Sequence, residues 1–406
     1  MIRTAGLGVC TLTFVLVCAL PHAPRAVQQG PPVRVRIATQ SPLSGRSKVQ
    51  GEGLMLAVKL AVDQLGGVLS KLGLAVEVVS FDDRGETAVG VDEAHRIVAD
   101  AGTLAVVGPM NSDVALRVAG IYRDADLAMI TPSSTHPALT ERGLPNVFRM
   151  CGRDDVQTDV AARFIEKSLR AKTVYVVHDA TTYGRANAEA FREATRRRRL
   201  TIVAFEAVPN KADVGRVVAA VSANAPDVLY FAGGYELAGS LLKEGRRSGM
   251  TAKFLGSDGV DSSALLEGAG AAAEGAYFTS VAGAVSVHPQ ARGFAYDYWK
   301  QFGKNPEPFA VQAFDAAAVV LQALAKASKG QVPPTRQAVI AAMRDTRYMG
   351  FSGPIAFDQR GDLRRALYLV MKVTAADPDD WGDNRELKRF GIPPPGRKSR
   401  IVRRGE

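Results

Sequence analysis

Short apolar runs alternate with segments of helical periodicity from residue 33 to about residue 281. The runs are VRVRIAT (33–39), LAVEVVSFDD (74–83), TLAVVGPM (103–110), LAMITPS (127–133), TVYVVHD (173–179), TIVAFEAV (201–208), PDVLYFAGG (226–234), KFLGSDG (253–259) and GAYFTSV (275–281). Each is rich in β-branched or aromatic residues and bounded by turn formers, which predicts a strand. Between them, apolar residues recur three to four apart, as at Leu54, Val58, Ala61, Val62 and Leu65 or at Val217, Val218 and Val221, and predict helices with one buried stripe. Repeated strand–helix units predict an α/β fold. Runs such as LAVVG and VYVV are apolar at successive positions, so both faces need cover, and a parallel sheet between helices supplies it. The alternation is long enough for two such sheets, one from about residues 33 to 150 and one from about 152 to 278. Afterwards FAYDYWKQF, FAVQAFDAAAVVLQALAKA and RQAVIAAMRD read as three helices, and PIAF and LYLVMKV as short strands that must rejoin one lobe or the other.

Composition bounds what these lobes can do. The 406 residues are 47% hydrophobic and 23% charged, a globular composition sufficient for two or three domains. Of the three cysteines, Cys10 and Cys18 fall in the uncharged run Ala5 to Leu20, which follows Arg3 and is shorter than a membrane span. That run predicts a secretory signal peptide over residues 1–26 and a mature chain, periplasmic or otherwise extracytoplasmic, starting between Pro24 and Val33. Cys151 is then the one thiol of the folded part, so neither an intramolecular disulfide framework nor a Cys-based zinc site is expected. The histidines are scattered, with no pair at i, i+4 to share a metal on a helix face.

The net charge of +10 raises the question of nucleic acid. From Arg385 to Glu406, however, there are eight Lys or Arg against two Glu, around Pro393 to Pro395, so most of the excess belongs to this stretch, the end of a Pro-containing segment over residues 374–406 that is expected to be a basic tail. The cluster Arg196 to Arg199 ends a predicted helix, where cations are favoured. No aromatic residues interleave these arginines for base stacking, and no nucleic-acid partner is expected.

Enzyme signatures are missing too. There is no phosphate loop and no nucleophile elbow, and Gly51-Glu-Gly53 lacks the third glycine of a dinucleotide fingerprint because position 56 is Leu. His178 and Asp179 are adjacent on a strand and point to opposite faces, so the carboxylate cannot orient its neighbour's ring. No cofactor is expected. What the chain does carry is small polar clusters at the C-terminal ends of its strands: PLSG (42–45), PMNSD (109–113), TPSSTHP (131–137), HDATTYG (178–184), AGGY (232–235) and GSDG (256–259). Ligands of open α/β sheets bind there, and three clusters per lobe would line a cleft from both sides. Ser112, just ahead of VALRVAGIY, fits a helix cap, a role compatible with holding a carboxylate at free N–H groups.

In this order, SPLSG, LAVKLAVDQLGG, FDDRGETAVGVDEAHRIV, VVGPMNS, MITPSSTHPALTERG, VFRM, VVHDATTYG, YFAGG, FLGSDG and AAEGAYFTS resemble the Leu/Ile/Val-binding protein family, the type I periplasmic substrate-binding proteins of ABC importers. The likeness covers about residues 33 to 373. It implies two Rossmann-like lobes with parallel-rich sheets, hinged by crossover strands around a cleft, with lobe I from 33–152 plus 282–354 and lobe II from 153–281 plus 355–373. It implies a receptor, not an enzyme, that captures a branched-chain or similar amino acid, or a related carboxylate, for ABC permease membrane subunits; a sensing partner is the alternative. It further implies that Ser112, Ser133 or Ser134, and Thr135 hold the α-carboxylate and ammonium, that Tyr183 and Tyr235 close the cleft, and that Asp258 pairs with the ammonium. Two positions depart from the family pattern. Asp258 stands where Glu is common, one methylene shorter, and an aromatic often found after the S-G turn is replaced near Gln50, which implies a more polar side-chain pocket.

Overall fold

The structure, a computed structural model, describes Met1 and residues 31–396. The proposed signal segment and the last ten residues of the basic tail therefore lie outside the described residues. The first sheet is built from β1 (Val33–Ser41), β2 (Leu74–Asp82), β3 (Thr103–Val107), β4 (Ala128–Thr131) and β5 (Val147–Arg149), in the order β2-β1-β3-β4-β5. All its pairs are parallel. Every residue of β3 and β4 is buried, as their unbroken apolar runs require. The second sheet contains β6 (Thr173–His178), β7 (Thr201–Ala207), β8 (Val228–Ala232), β9 (Lys253–Gly256) and β10 (Tyr277–Ser280), parallel in the order β10-β9-β8-β6-β7. A small hairpin, β11 (Tyr348–Gly350) with β12 (Gly353–Ile355), precedes β13 (Ala366–Lys372), which adds to β10 antiparallel, and β14 (Arg385–Ile392), which adds to β13 in the same sense.

Strand order fixes where the site must be. From β1 the chain passes to β2 on one side and later to β3 on the other; β6 stands in the same relation to β7 and β8. Such switch points open a crevice beyond the carboxyl ends of the strands. The chain passes from the first sheet to the second between Arg149 and Asp154, returns between Ser280 and Arg292, and crosses again between Ile355 and Ala366. After the return, helices Ala310–Ala327 and Arg336–Arg344 cover the first sheet, and helix Arg292–Phe302 packs on helix Lys48–Leu65. Helix Ala310–Ala327 packs on helix Lys48–Leu65, and Val320 and Leu324 join Val58 and Ala61 in one buried cluster. It is apolar enough to cross a membrane by length and composition, yet 78% of it is buried, the mark of a helix packed on nearly every face.

Three strands were not expected, among them β11, the partner of the PIAF strand. The segment VFR makes the edge strand β5, too short to show a period. The composition of residues 374–406 suggests a tail, but Arg385–Ile392 hydrogen-bonds along β13, and Trp381 ahead of it is 4% exposed. An edge strand needs one covered face only: Leu387, Phe390 and Ile392 pack against the core, and the interleaved Lys388 and Arg389 discourage further strand addition.

Candidate functional site

Five of the six polar clusters at the strand ends converge on a cavity of about 140 Å³, and the chain just after the sixth, PLSG, reaches it through Arg46 and Ser47. Ser112, Ser133 and Thr135 line it from the first lobe, Tyr183 and Asp258 from the second. Ser134 sits behind this surface, its hydroxyl 3.2 Å from Ser112 Oγ, so it supports a lining residue instead of lining the cavity itself. Tyr235 does not reach it either. It is buried at the start of helix Tyr235–Arg247 and borders a separate open groove with Val49 and Lys48.

Backbone bonds to side chains shape the first-lobe wall. Thr131 Oγ1 donates to the Pro109 carbonyl at 2.7 Å and accepts from Ser134 N at 3.0 Å, which folds the TPSST loop onto the PMNS turn. Ser133 Oγ donates to the Met110 carbonyl at 3.1 Å. Arg149 holds the same loop from behind through the Ser134 and His136 carbonyls, at 3.1 and 2.9 Å. Its charge is matched by Asp362, which lies in the third crossover and also accepts from Arg153. Thr135 is 1% exposed and its Oγ1, which helps hold down the Asp154 carboxyl, makes no hydrogen bond of good geometry; Asn111 Oδ1 is buried and unpartnered. Buried polar atoms in that state cost about 1–3 kcal/mol each until something pairs with them. Beside them begins helix Ser112–Asp124, whose first-turn N–H groups favour an anion.

Opposite charge preference marks the second lobe. The Tyr183 hydroxyl donates to Asp258 Oδ1 at 2.7 Å and accepts from Gly259 N at 3.1 Å. A Cβ at position 259 would lie 2.5 Å from the Gly233 carbonyl oxygen and 3.1 Å from the Tyr183 ring, so only glycine lets that ring close. Burial raises the Asp258 carboxyl above its ordinary value, and bonds from Tyr183 and Gln157 offset only part of that. Asp154, 0% exposed, is raised by burial and then by the charge of Asp258. Neither carboxylate has an ion-paired cation among the described residues. Burial, and then Asp258, drive the Tyr183 phenol far above its usual range, so it stays a donor.

Sequence reasoning missed Phe309 altogether. It lines the cavity, 3% exposed, in a left-handed conformation (φ +73°) just ahead of helix Ala310–Ala327. A bulky residue there is strained, and strain of this kind gathers at binding sites. Nothing in the pattern distinguishes it from the first apolar residue of the helix. Asp179 also lines the cavity, but its carboxylate is taken up by Thr181 N and Oγ1 and by Gly234 N, and it serves as a loop brace. The lobes meet through bonds across the cleft. Asp113 accepts from Thr182 N at 2.8 Å, Glu236 from Ser47 N at 2.7 Å, and Glu307 from Ser262 Oγ at 2.9 Å and Ser263 N at 3.2 Å.

Residues 34–377 match the family model of the periplasmic binding proteins. The chain belongs to that family. Among relatives of this periplasmic binding protein, the Leu/Ile/Val-binding protein BraC3 of Rhizobium johnstonii is 30% identical over 367 residues, covering 90% of this chain and 97% of its own. The crystal structure of the leucine-binding protein LivK of Thermotoga maritima superposes with a TM-score of 0.79 at 27% identity, covering 88% and 98% of the two chains. An R. palustris solute-binding protein of an ABC transporter, solved with benzoate, gives the same TM-score at 17% identity over 89% and 98%. That last likeness concerns the fold alone. The two-lobed α/β architecture expected from the sequence is thus that of the family.

Proposed function

We propose that this periplasmic binding protein captures a small α-amino acid in its closed cleft and delivers it, outside the cytoplasm, to the membrane subunits of an ABC importer. One observation carries the reading: a single small cavity presents hydroxyl and helix N–H donors at one end and a buried, cation-free carboxylate at the other. The first end suits a carboxylate, the second an ammonium. The names of the Rhizobium and Thermotoga relatives support the same ligand class. The rest of the lining includes the polar Arg46, Gln50, Thr87 and Thr181 beside the apolar Met110 and Phe309, which favours an amino acid with a polar side chain over a purely aliphatic one. No acid, base and nucleophile converge in the cavity, so a receptor fits better than an enzyme.

A thermal-shift screen of the purified chain against the common amino acids, short amides and aromatic acids tests this. A true ligand at a hundredfold excess over Kd is expected to add about 2.7 kcal/mol of stability. Stabilisation by benzoate-like acids alone would sink the amino-acid reading.

Acidification supplies a second check. With its carboxyl raised, Asp258 takes up a proton at a pH well above the ~4 of an ordinary aspartate. Amino-acid affinity, measured by calorimetry, should fall on acidification within that window. The same shift has the opposite sign for the ligand-free fold, because the folded state there binds more protons than the unfolded one, so the share of stability due to Asp258 declines as pH rises through it. Affinity flat down to pH 4 would remove Asp258 from the ammonium site.

A further inference from the structure

The family match ends at residue 377, but the chain continues along the molecule. Residues 378–383 form a short 3-10 turn, and Ser286 Oγ donates to the Gly382 carbonyl at 2.6 Å. Asn305, in the loop between helices Arg292–Phe302 and Ala310–Ala327 of the first lobe, donates to the Asp379 carbonyl at 3.1 Å. Further on, Arg389 donates to the Val287 carbonyl at 3.0 Å, and the Pro395 carbonyl accepts from Arg360 of the third crossover at 2.7 Å. The segment thus touches both lobes and one of the connections between them.

Trp381 turns this contact inward. Its ring lies against Phe278 with centroids 5.5 Å apart and planes 21° from parallel, and its Nε1 donates to Asp261 Oδ1 at 2.9 Å. Asp261 is 1% exposed, its other oxygen is unpartnered, and its backbone carbonyl accepts from Gln50 Nε2 at 2.9 Å. Gln50 comes from helix Lys48–Leu65 of the first lobe and lines the ligand cavity. An indole N–H outside the family-matched region is therefore two hydrogen-bonded residues from the cavity wall.

We propose that Trp381 is a positioning residue for the ligand cavity: by fixing Asp261 it holds Gln50 against the ligand's side chain and ties the C-terminal segment to cleft closure. The proposal rests on the reading of this cavity as an amino-acid site. Asp261 N also donates to the Asp258 carbonyl at 3.0 Å, but it is the Asp261 carbonyl that Trp381 steadies for Gln50, so most of the contribution of Trp381 should disappear when Gln50 is removed. A phenyl ring at 381 would keep the stacking on Phe278 and lose only the donor.

The test is a double-mutant cycle read by calorimetry with the tightest binder among the common amino acids. Trp381→Phe is expected to weaken binding about fivefold in the wild-type chain, the worth of one hydrogen bond, and less than about twofold in a Gln50→Ala background. A general loss of fold quality would instead weaken both backgrounds alike. Equal losses in the two, or a single variant within about twofold of wild type, would overturn the inference and leave the receptor reading standing. A wild-type chain that binds no amino acid would overturn both.

A spectroscopic arm covers the case in which Trp381→Phe does not fold. The chain has two tryptophans, and Trp299 is 55% exposed, so in a Trp299→Phe chain the emission comes from Trp381 alone. Saturating amino acid is expected to shift or quench that emission. Unchanged emission at saturation would overturn the inference.

Discussion

Asp258→Asn is expected to lower amino-acid affinity by roughly 30-fold to several thousandfold, the ~2–5 kcal/mol typical of removing one member of a desolvated charge pair. The carboxylate is 4% exposed, bonded by Tyr183, and backed by Asp154 with no cation beside either group among the described residues. A ligand ammonium would be the compensating charge, and an amide in its place offers half the acceptors and no charge. The ligand-free protein should respond in the opposite direction. Its two raised carboxyls are a strain on the fold at neutral pH, so removing one charge is expected to leave the melting temperature unchanged or higher. Benzoate-like acids, lacking an ammonium, should be insensitive to the change. Calorimetry showing the variant within about threefold of wild type, less than ~0.7 kcal/mol, would mean that the ligand has no ammonium at this position.

How much of this was legible beforehand differs by element. Strands β3, β4, β6 and β8 to β10 could be read from the sequence because burial on both faces leaves a nearly uninterrupted hydrophobic signal, whereas β1, β2 and β7, partly exposed and carrying charges, were legible from their β-branched and aromatic content. β5 and β14 were not legible, the first because three residues hold no period, the second because an edge strand with one covered face keeps its charges. Within the site, Ser112, Ser133, Thr135, Tyr183 and Asp258 stand in polar clusters at strand ends, where topology concentrates ligand contacts. Ser134 and Tyr235 occupy similar clusters but point elsewhere, since side-chain direction in a turn depends on dihedrals that composition does not encode. Phe309 shows the converse: its place in the cavity comes from a left-handed backbone that only the packed fold imposes.

The second large effect concerns the connection between the lobes. Asp362→Ala is expected to cost about 3–5 kcal/mol of stability, because it strands a buried arginine. Arg149 is 0% exposed and meets Asp362 Oδ1 through Nε at 2.9 Å and Nη2 at 2.7 Å; the described residues give it no other carboxylate. Arg153 is less vulnerable, since Glu141 and Asp155 remain at 2.6 and 2.8 Å when Asp362 goes. Burial alone would raise the Asp362 carboxyl, but Arg149 and Arg153 outweigh it and hold the group below its ordinary value. A depressed carboxyl contributes stability that is present above the unfolded pKa near ~4 and lost as pH falls through the folded one, so the variant should also flatten the acid limb of the stability curve. Asp362→Asn keeps the shape and separates charge from volume. Denaturant titration should find a lower midpoint with an unchanged slope in both variants, the alanine chain being the weaker. Because Arg149 also holds the Ser134 and His136 carbonyls, affinity at the Ser133 to Thr135 loop should drop in the same chains at temperatures where they remain folded. A loss below about 1 kcal/mol would show that Arg149 finds water or another anion when Asp362 is removed, and that the crossover is less tightly sealed than its burial implies.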